Sequence, residues 1–165
     1  VDRALGALHP ITWTPRAPET FPVFVMRLTR KAEFSASHVC ARPDWSREQN
    51  EAAYGANANP NGHGHNYVLE VTIEGDTDPR TGMVFDLREL KEILEREVVE
   101  PMDHRFLNYE VPPFDRVVPT TENIAAEIWR RLEPPIQRTN ARLQNVRVYE
   151  TADLYVDYGA PDAGH

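Results

Sequence analysis

Asn61-Gly62-His63-Gly64-His65-Asn66-Tyr67, running on into Val68-Leu69-Glu70-Val71-Thr72-Ile73, is the stretch whose reading decides the fold. His63, His65, Tyr67, Leu69, Val71 and Ile73 share one parity, so a β-strand here carries both imidazoles on its apolar face. Gly62 and Gly64 leave room around them. A bare His-x-His is a weak pattern, met equally by two histidines hydrogen-bonded in an ordinary core. The strand context favours a metal, because imidazoles on a buried face need partners and an ion supplies them.

A second strand repeats the argument. From Phe24 the even positions run Phe24, Met26, Leu28, Arg30, Ala32, Phe34, Ala36, His38, while Arg27, Thr29, Lys31 and Glu33 between them are polar. His38 thus ends a strand on its apolar face. If that strand pairs with the one carrying His65, three histidines meet at one end of a sheet. Three protein ligands leave one position open, the arrangement of a catalytic zinc.

A chain of 165 residues is one domain by size, long enough to bury a core without disulfides. Its single cysteine, Cys40, forbids an intrachain disulfide and fits a reducing, cytoplasmic setting. No apolar run reaches the roughly 18 residues that a membrane span requires, and no signal-peptide pattern opens the chain. With 18 basic and 26 acidic residues the net charge is −8, which repels a phosphate backbone, and no basic stripe with interleaved aromatics offsets it. Nucleic acid and membrane are therefore not expected partners; a small molecule is. Arg30, Arg42 and Arg47 are candidates for meeting an anionic tail, and equally for plain surface charge.

Residues 1–20 hold Pro10, Pro15 and Pro18 without periodicity and read as an extension; residues 21–159 read as the domain and 160–165 as a tail. One helix starts at the N-cap Asp86, carries Leu87, Leu90, Leu94 and Val98, and is expected to break at Pro101. Another starts at Thr120 or Thr121, carries Ile124, Ala125, Ile128 and Leu132, and is expected to end at Pro134-Pro135. Ser46 to Tyr54 can form a short helix between the first two strands. The order is β-β-α-α-β-β, an α+β architecture with two helices on one face of an antiparallel sheet.

Taken in sequence, Phe34-Ser35-Ala36-Ser37-His38, Asn59-Pro60-Asn61-Gly62-His63-Gly64-His65, Gly82-Met83-Val84-Phe85-Asp86, Met102-Asp103-His104, Thr120-Thr121-Glu122-Asn123 and Val148-Tyr149-Glu150-Thr151 resemble the 6-pyruvoyl-tetrahydropterin synthase family, which includes the 6-carboxytetrahydropterin synthases of queuosine biosynthesis. The likeness covers roughly Val23 to Tyr158. It implies the tunnelling fold, in which subunits close into a barrel and two trimers stack as a hexamer with sites between subunits. It implies Zn2+ on His38, His63 and His65, a catalytic pair Asp103 and His104, and Glu150 as the pterin anchor with Thr120 and Thr121 nearby. The residues agree in part. Glu150 shares the parity of Val146 and Val148, so its carboxylate falls on an apolar face, and it matches the donor edge of a pterin. Thr120 and Thr121 read equally as helix caps. Asp103-His104 by itself reads as a polar turn after Pro101, and the resemblance is what makes it a catalytic pair.

One position departs from the family. Its catalytic cysteine stands six residues before the first histidine of Gly-His-Gly-His, and here that residue is Asn57. An amide is no general base, so Asn57 is left as a substrate contact. Some branches carry a glutamate there and cleave the side chain, yet no acid lies between Tyr54 and Tyr67. Cys40 is the only thiol; a strand continuing past His38 would aim it at the metal, where a cation lowers its pKa, and otherwise it is a small core residue. Three functions follow from the resemblance: a lyase eliminating triphosphate from 7,8-dihydroneopterin triphosphate, a 6-carboxytetrahydropterin synthase or side-chain-cleaving enzyme, and a zinc-bearing pterin-binding module without chemistry.

Overall fold

A computed structural model describes residues 25–160. The expected extension at 1–20, Phe24 of the first strand and residues 161–165 of the tail lie outside the described residues.

The alternation of polar and apolar residues produces two long strands, β1 (Met26–His38) and β2 (His63–Gly75), which pair antiparallel over their whole length, with Phe34 opposite Tyr67 and His38 opposite His63. Between them Ser46 opens helix α1 (Arg47–Tyr54) with a reciprocal capping box, its hydroxyl accepting from Gln49 N–H while the Gln49 amide accepts from Ser46 N–H. A single 3-10 turn, Gly55–Ala58, leads to β2.

Asp86 caps helix α2 (Leu87–Leu94), as its sequence requires, but the helix does not break at Pro101. It passes through a π-wound turn, Glu95–Val99, into a last turn, α3 (Glu100–Met102). A proline removes one N–H and collides with the carbonyl four residues back, here Glu97. The wider winding accommodates that collision, and Arg131 donates to the freed Glu97 carbonyl at 3.5 Å. Two further short elements were not legible: β3 (Arg105–Phe106), parallel to the end of β1, and α4 (Leu107–Glu110).

Thr120 caps α5 (Thr121–Ile136), which also outruns its expected end and takes Pro134 and Pro135 into its final turn. Ile136 is fully buried, and its burial, worth about 1.5–3 kcal/mol, holds that turn in place. Strands β4 (Ala141–Thr151) and β5 (Leu154–Gly159) complete an α+β sheet of order β3-β1-β2-β4-β5.

The sheet is covered on one face. Tyr67, Leu69, Val71, Ile73, Val146 and Val148 pack into one core with Leu90, Leu94 and Val98 of the α2 segment and Ile124, Ile128 and Leu132 of α5. The other face carries cross-strand polar pairs: Thr29 with Thr72 at 2.9 Å, Lys31 with Glu70 at 2.6 Å, Ser35 with Asn66 at 2.7 Å. Two margins stay open among the described residues, since β3 pairs with β1 only at Ala36 and Ser37 and the outer edge of β5 has no partner strand.

Candidate active site

The β1–β2 register settles the first question about the histidines. His38 lies directly across from His63, and His65 follows on the same face, so the three rings cluster with centroids 4.5, 4.9 and 5.3 Å apart. They stand at the end of the core, above the stacked rings of Phe34 and Tyr67.

His38 is buried and fixed. Its Nδ1–H donates to the Pro119 carbonyl at 2.7 Å, since a carbonyl can only accept, and this leaves Nε2 as the lone pair facing the cluster. His38 Nε2 lies 3.1 Å from His63 Nε2, 3.4 Å from the Tyr67 hydroxyl and 3.8 Å from Glu150 Oε1. Glu150 Oε1 is 3.0 Å from His65 Nε2, while Thr121 Oγ1 donates to Glu150 Oε2. Burial pushes the pKa of both His38 and His63 down, which keeps the imidazoles neutral and able to ligate.

The donor set fits a metal ion. One ligand atom from each of His38, His63, His65 and Glu150 lies within 4.8 Å of every other. His65 Nε2 is buried without a hydrogen-bond partner, although the Glu150 carboxylate is near it. Proximity without alignment is what two ligands aimed at a common centre display; an imidazole and a carboxylate bonded to each other would be collinear. Neutral imidazoles with a carboxylate suit zinc among the common ions.

Asp103 and His104 form the second constellation, and both the pair and the turn readings apply. They occupy the turn between α3 and β3, with His104 at φ 57°. Asp103 Oδ2 accepts from His104 Nδ1 at 2.7 Å and Oδ1 from Ser35 N–H at 2.7 Å; His104 N–H donates to Ser35 O at 2.6 Å. The Ser35 N–H, and then His104, hold the Asp103 carboxyl below its usual range. His104 Nε2 is thereby left free on an exposed ring. His104 and His65 both line an open hollow of about 530 Å3 with Ser35, Gly64, Asn66 and Phe106.

Cys40 is not where a continuing strand would put it, because β1 ends at His38. Its thiol is buried, 4.0 Å from the same Pro119 carbonyl, and burial first, then Glu150 and Glu122, push it up to about 11. Its backbone N–H donates to Asn57 O at 2.9 Å, so the only thiol is bonded through the main chain to the residue standing in the cysteine position. Asn57 itself is exposed on the 3-10 turn. Of the two threonines, Thr120 is the helix cap and Thr121 reaches Glu150. Arg42 and Arg47 line a second hollow of about 660 Å3 behind Val39 and Val118, and each is paired, with Asp44 at 2.8 Å and Glu51 at 2.6 Å.

The Pro119 carbonyl, the Ser35 main chain and the Tyr67 hydroxyl escaped the sequence reading. The first two are backbone groups and carry no residue signal. Tyr67 had the right parity and reads there as core.

A half-covered sheet with three histidines and a carboxylate able to hold a metal ion at one end defines a class of α+β protein. The profile of the 6-pyruvoyl tetrahydropterin synthase family matches residues 27–161, and the chain belongs to that family. It is 43% identical over 132 residues to a human protein named 6-pyruvoyl tetrahydrobiopterin synthase, covering 80% of this chain and 90% of that one. A solved structure of Caenorhabditis elegans 6-pyruvoyl tetrahydropterin synthase superposes with TM-score 0.78 at 33% identity, over 86% of this chain and all of the other. A weaker match, 36% over 95 residues, is a putative 6-carboxy-5,6,7,8-tetrahydropterin synthase of Archaeoglobus fulgidus, covering 58% of this chain and 73% of that protein. No helix among the described residues is long and apolar enough to cross a membrane.

Proposed function

We propose that the chain is a zinc-dependent carbon–oxygen lyase that acts on 7,8-dihydroneopterin triphosphate, eliminating triphosphate and rearranging the side chain. The observation that carries this reading is the convergence of His38, His63, His65 and Glu150 beside a hollow shared with His104. The extent of the human match supports the substrate class.

In this reading His38, His63 and His65 hold zinc, which when bound polarises the oxygens of the substrate side chain and acidifies the adjacent carbon–hydrogen bonds. The Glu150 carboxylate accepts from the amino and ring N–H groups of the pterin, and Thr121 orients it; Thr120 and Asn57 are assigned as further substrate contacts, Thr120 beside Thr121 at the helix cap and Asn57 through its main-chain bond to Cys40. Asp103 fixes His104 with Nδ1 protonated, so Nε2 is the atom that takes or gives a proton. Cys40 is the one thiol able to stand in for the missing cysteine, and because it is buried it must first be uncovered to reach substrate. The open margins of β1 and β5 support a ring of subunits of the trimer or hexamer kind, within which His104 of one copy can serve the centre of another. A single, buried thiol is consistent with a cytoplasmic setting.

The second reading is a 6-carboxytetrahydropterin synthase or side-chain-cleaving enzyme. The archaeal match favours it. The third, a pterin-binding module without chemistry, draws on Asn57 and is opposed by the intact Asp103–His104 pair.

Zinc-loaded protein incubated with 7,8-dihydroneopterin triphosphate, with products identified by mass spectrometry, tests all three. Released triphosphate and a pyruvoyl pterin that vanish in Cys40→Ser support the lyase with a relocated thiol; persistence in Cys40→Ser moves the role to His104. A pterin with a shortened or carboxylate side chain selects the second reading. Binding without turnover, and turnover only in Asn57→Cys, selects the third.

A further inference from the structure

The carboxylate of Glu150 is claimed twice. As an anchor it must offer both oxygens to the paired donors of a pterin ring. In the structure neither is free: Oε2 accepts the Thr121 hydroxyl, Oε1 faces the imidazole nitrogens of His65 and His38, and only 13% of the side chain is exposed. The contact between Oε1 and His65 Nε2 is not a hydrogen bond, for that nitrogen is buried without a partner.

The spacing says what the contact is. Zinc bonds of about 2.0–2.1 Å in tetrahedral array place neighbouring ligand atoms roughly 3.3 Å apart. Three of the six separations are 3.1 Å for His38 with His63, 3.0 Å for His65 with Glu150 and 3.8 Å for His38 with Glu150, and all six lie within 4.8 Å, so small side-chain movements bring the four atoms onto one ion. Three imidazoles and one carboxylate supply the four donors of a tetrahedral set, and a closed set is the pattern of a resting centre with no position for substrate.

We propose that Glu150 is the fourth metal ligand of the substrate-free protein and is exchanged off the metal when a pterin docks, Oε1 turning to one ring donor while Oε2 keeps the Thr121 hydroxyl on one lone pair and accepts the other ring donor on its second. This rests on the pterin reading above. It makes ring recognition the event that opens the coordination position, so a hydroxylated molecule without a pterin ring finds the centre shut. Thr121, buried at the first turn of α5, is the fixed point of the exchange.

Cobalt(II) in place of zinc tests this without turnover, since its visible spectrum reports the ligand set. Glu150→Gln is expected to bind zinc at least about tenfold more weakly and to give an altered cobalt spectrum. 6-Methylpterin, which has no side-chain oxygen to offer a metal, is expected to shift the spectrum of the unmodified cobalt protein. By linkage it should also bind the metal-free protein more tightly than the zinc protein, because the metal competes for the carboxylate. Thr121→Val retains the carboxylate and should keep the parental cobalt spectrum. Equal zinc affinity and identical spectra in Glu150→Gln overturn the ligation and leave the pterin reading standing. 6-Methylpterin that binds without a spectral change, or equally with and without zinc, overturns the exchange. If it binds neither form, the exchange and the pterin reading fall together. The two measurements on unmodified protein hold even if Glu150→Gln fails to fold.

Discussion

Replacing Gly62 by alanine tests how the loop before His63 is held. Gly62 has φ 73°, in the left-handed region, and a Cβ there would stand 2.8 and 3.0 Å from two ring carbons of Phe106 and 3.2 Å from the His38 carbonyl oxygen. Gly82 supplies the control: φ is 71° and nothing lies within 4 Å of its Cβ position. The positive φ alone costs alanine about 1–2 kcal/mol, so Gly82→Ala should lose that much. Gly62→Ala should lose a further ~1–3 kcal/mol of overpacking against Phe106 and the β1 carbonyl. At roughly 2–4 °C per kcal/mol for a chain of this size, Gly82→Ala melts about 2–8 °C lower and Gly62→Ala about 4–20 °C lower. Thermal unfolding of the two variants beside the parent, at equal metal loading, gives the comparison. Gly62→Ala should also bind zinc more weakly, because the strain falls on His63 and His38 directly. Phe106→Leu in the Gly62→Ala background should return part of the excess loss. Equal losses at the two glycines, or no recovery with Phe106→Leu, would refute the contact argument.

Three other outcomes are expected. Asp103→Asn keeps an acceptor for Ser35 N–H but presents an amide nitrogen to His104 Nδ1, so turnover should fall about 10²–10⁴-fold with zinc content unchanged, measured by initial rates and metal analysis. Glu74 is buried, and Arg142 first, then Arg27, hold its carboxyl below the usual range. A depressed acid stabilises fully above its unfolded pKa of about 4.3 and loses that contribution as pH falls through the lower folded value. Glu74→Gln should therefore cost about 1–3 kcal/mol at neutral pH in denaturant titration, and the gap to the parent should close in acid; a gap that is constant with pH contradicts the assignment. Ser46→Ala removes the cap of α1 and should cost about 1 kcal/mol in the same assay.

The parts of the fold legible in the sequence are those written in side-chain periodicity. The parity of Phe34, Ala36 and His38 against His63, His65 and Tyr67 predicted both strands and the face that carries the imidazoles, because one face of the sheet is buried and a one-residue slip would expose the whole set. The caps Asp86, Ser46 and Thr120 marked helix starts for a local reason, a side-chain oxygen meeting orphan N–H groups. The prolines misled at helix ends. Pro101 and Pro134-Pro135 sit where tertiary contacts, the Arg131 bond to Glu97 O and the burial of Ile136, outweigh the local penalty. In the site, the bond of Cys40 N–H to Asn57 O and that of the His38 ring to Pro119 O each end on a main-chain carbonyl of a segment distant in sequence, which periodicity does not encode.

The π turn at Glu95–Val99 also sets an angle. Each residue of a regular helix advances the chain by about 100° and 1.5 Å, so a turn that holds one residue more than its neighbours re-aims everything after it. Asp103 meets the Ser35 N–H one residue beyond the end of that helix. Deleting a single residue from the turn would give a more regular helix and swing Asp103 and His104 by about 100° from β1. The irregular winding is thus the phase adjustment that brings a helix, counted from Asp86, to face a strand that ends at His38.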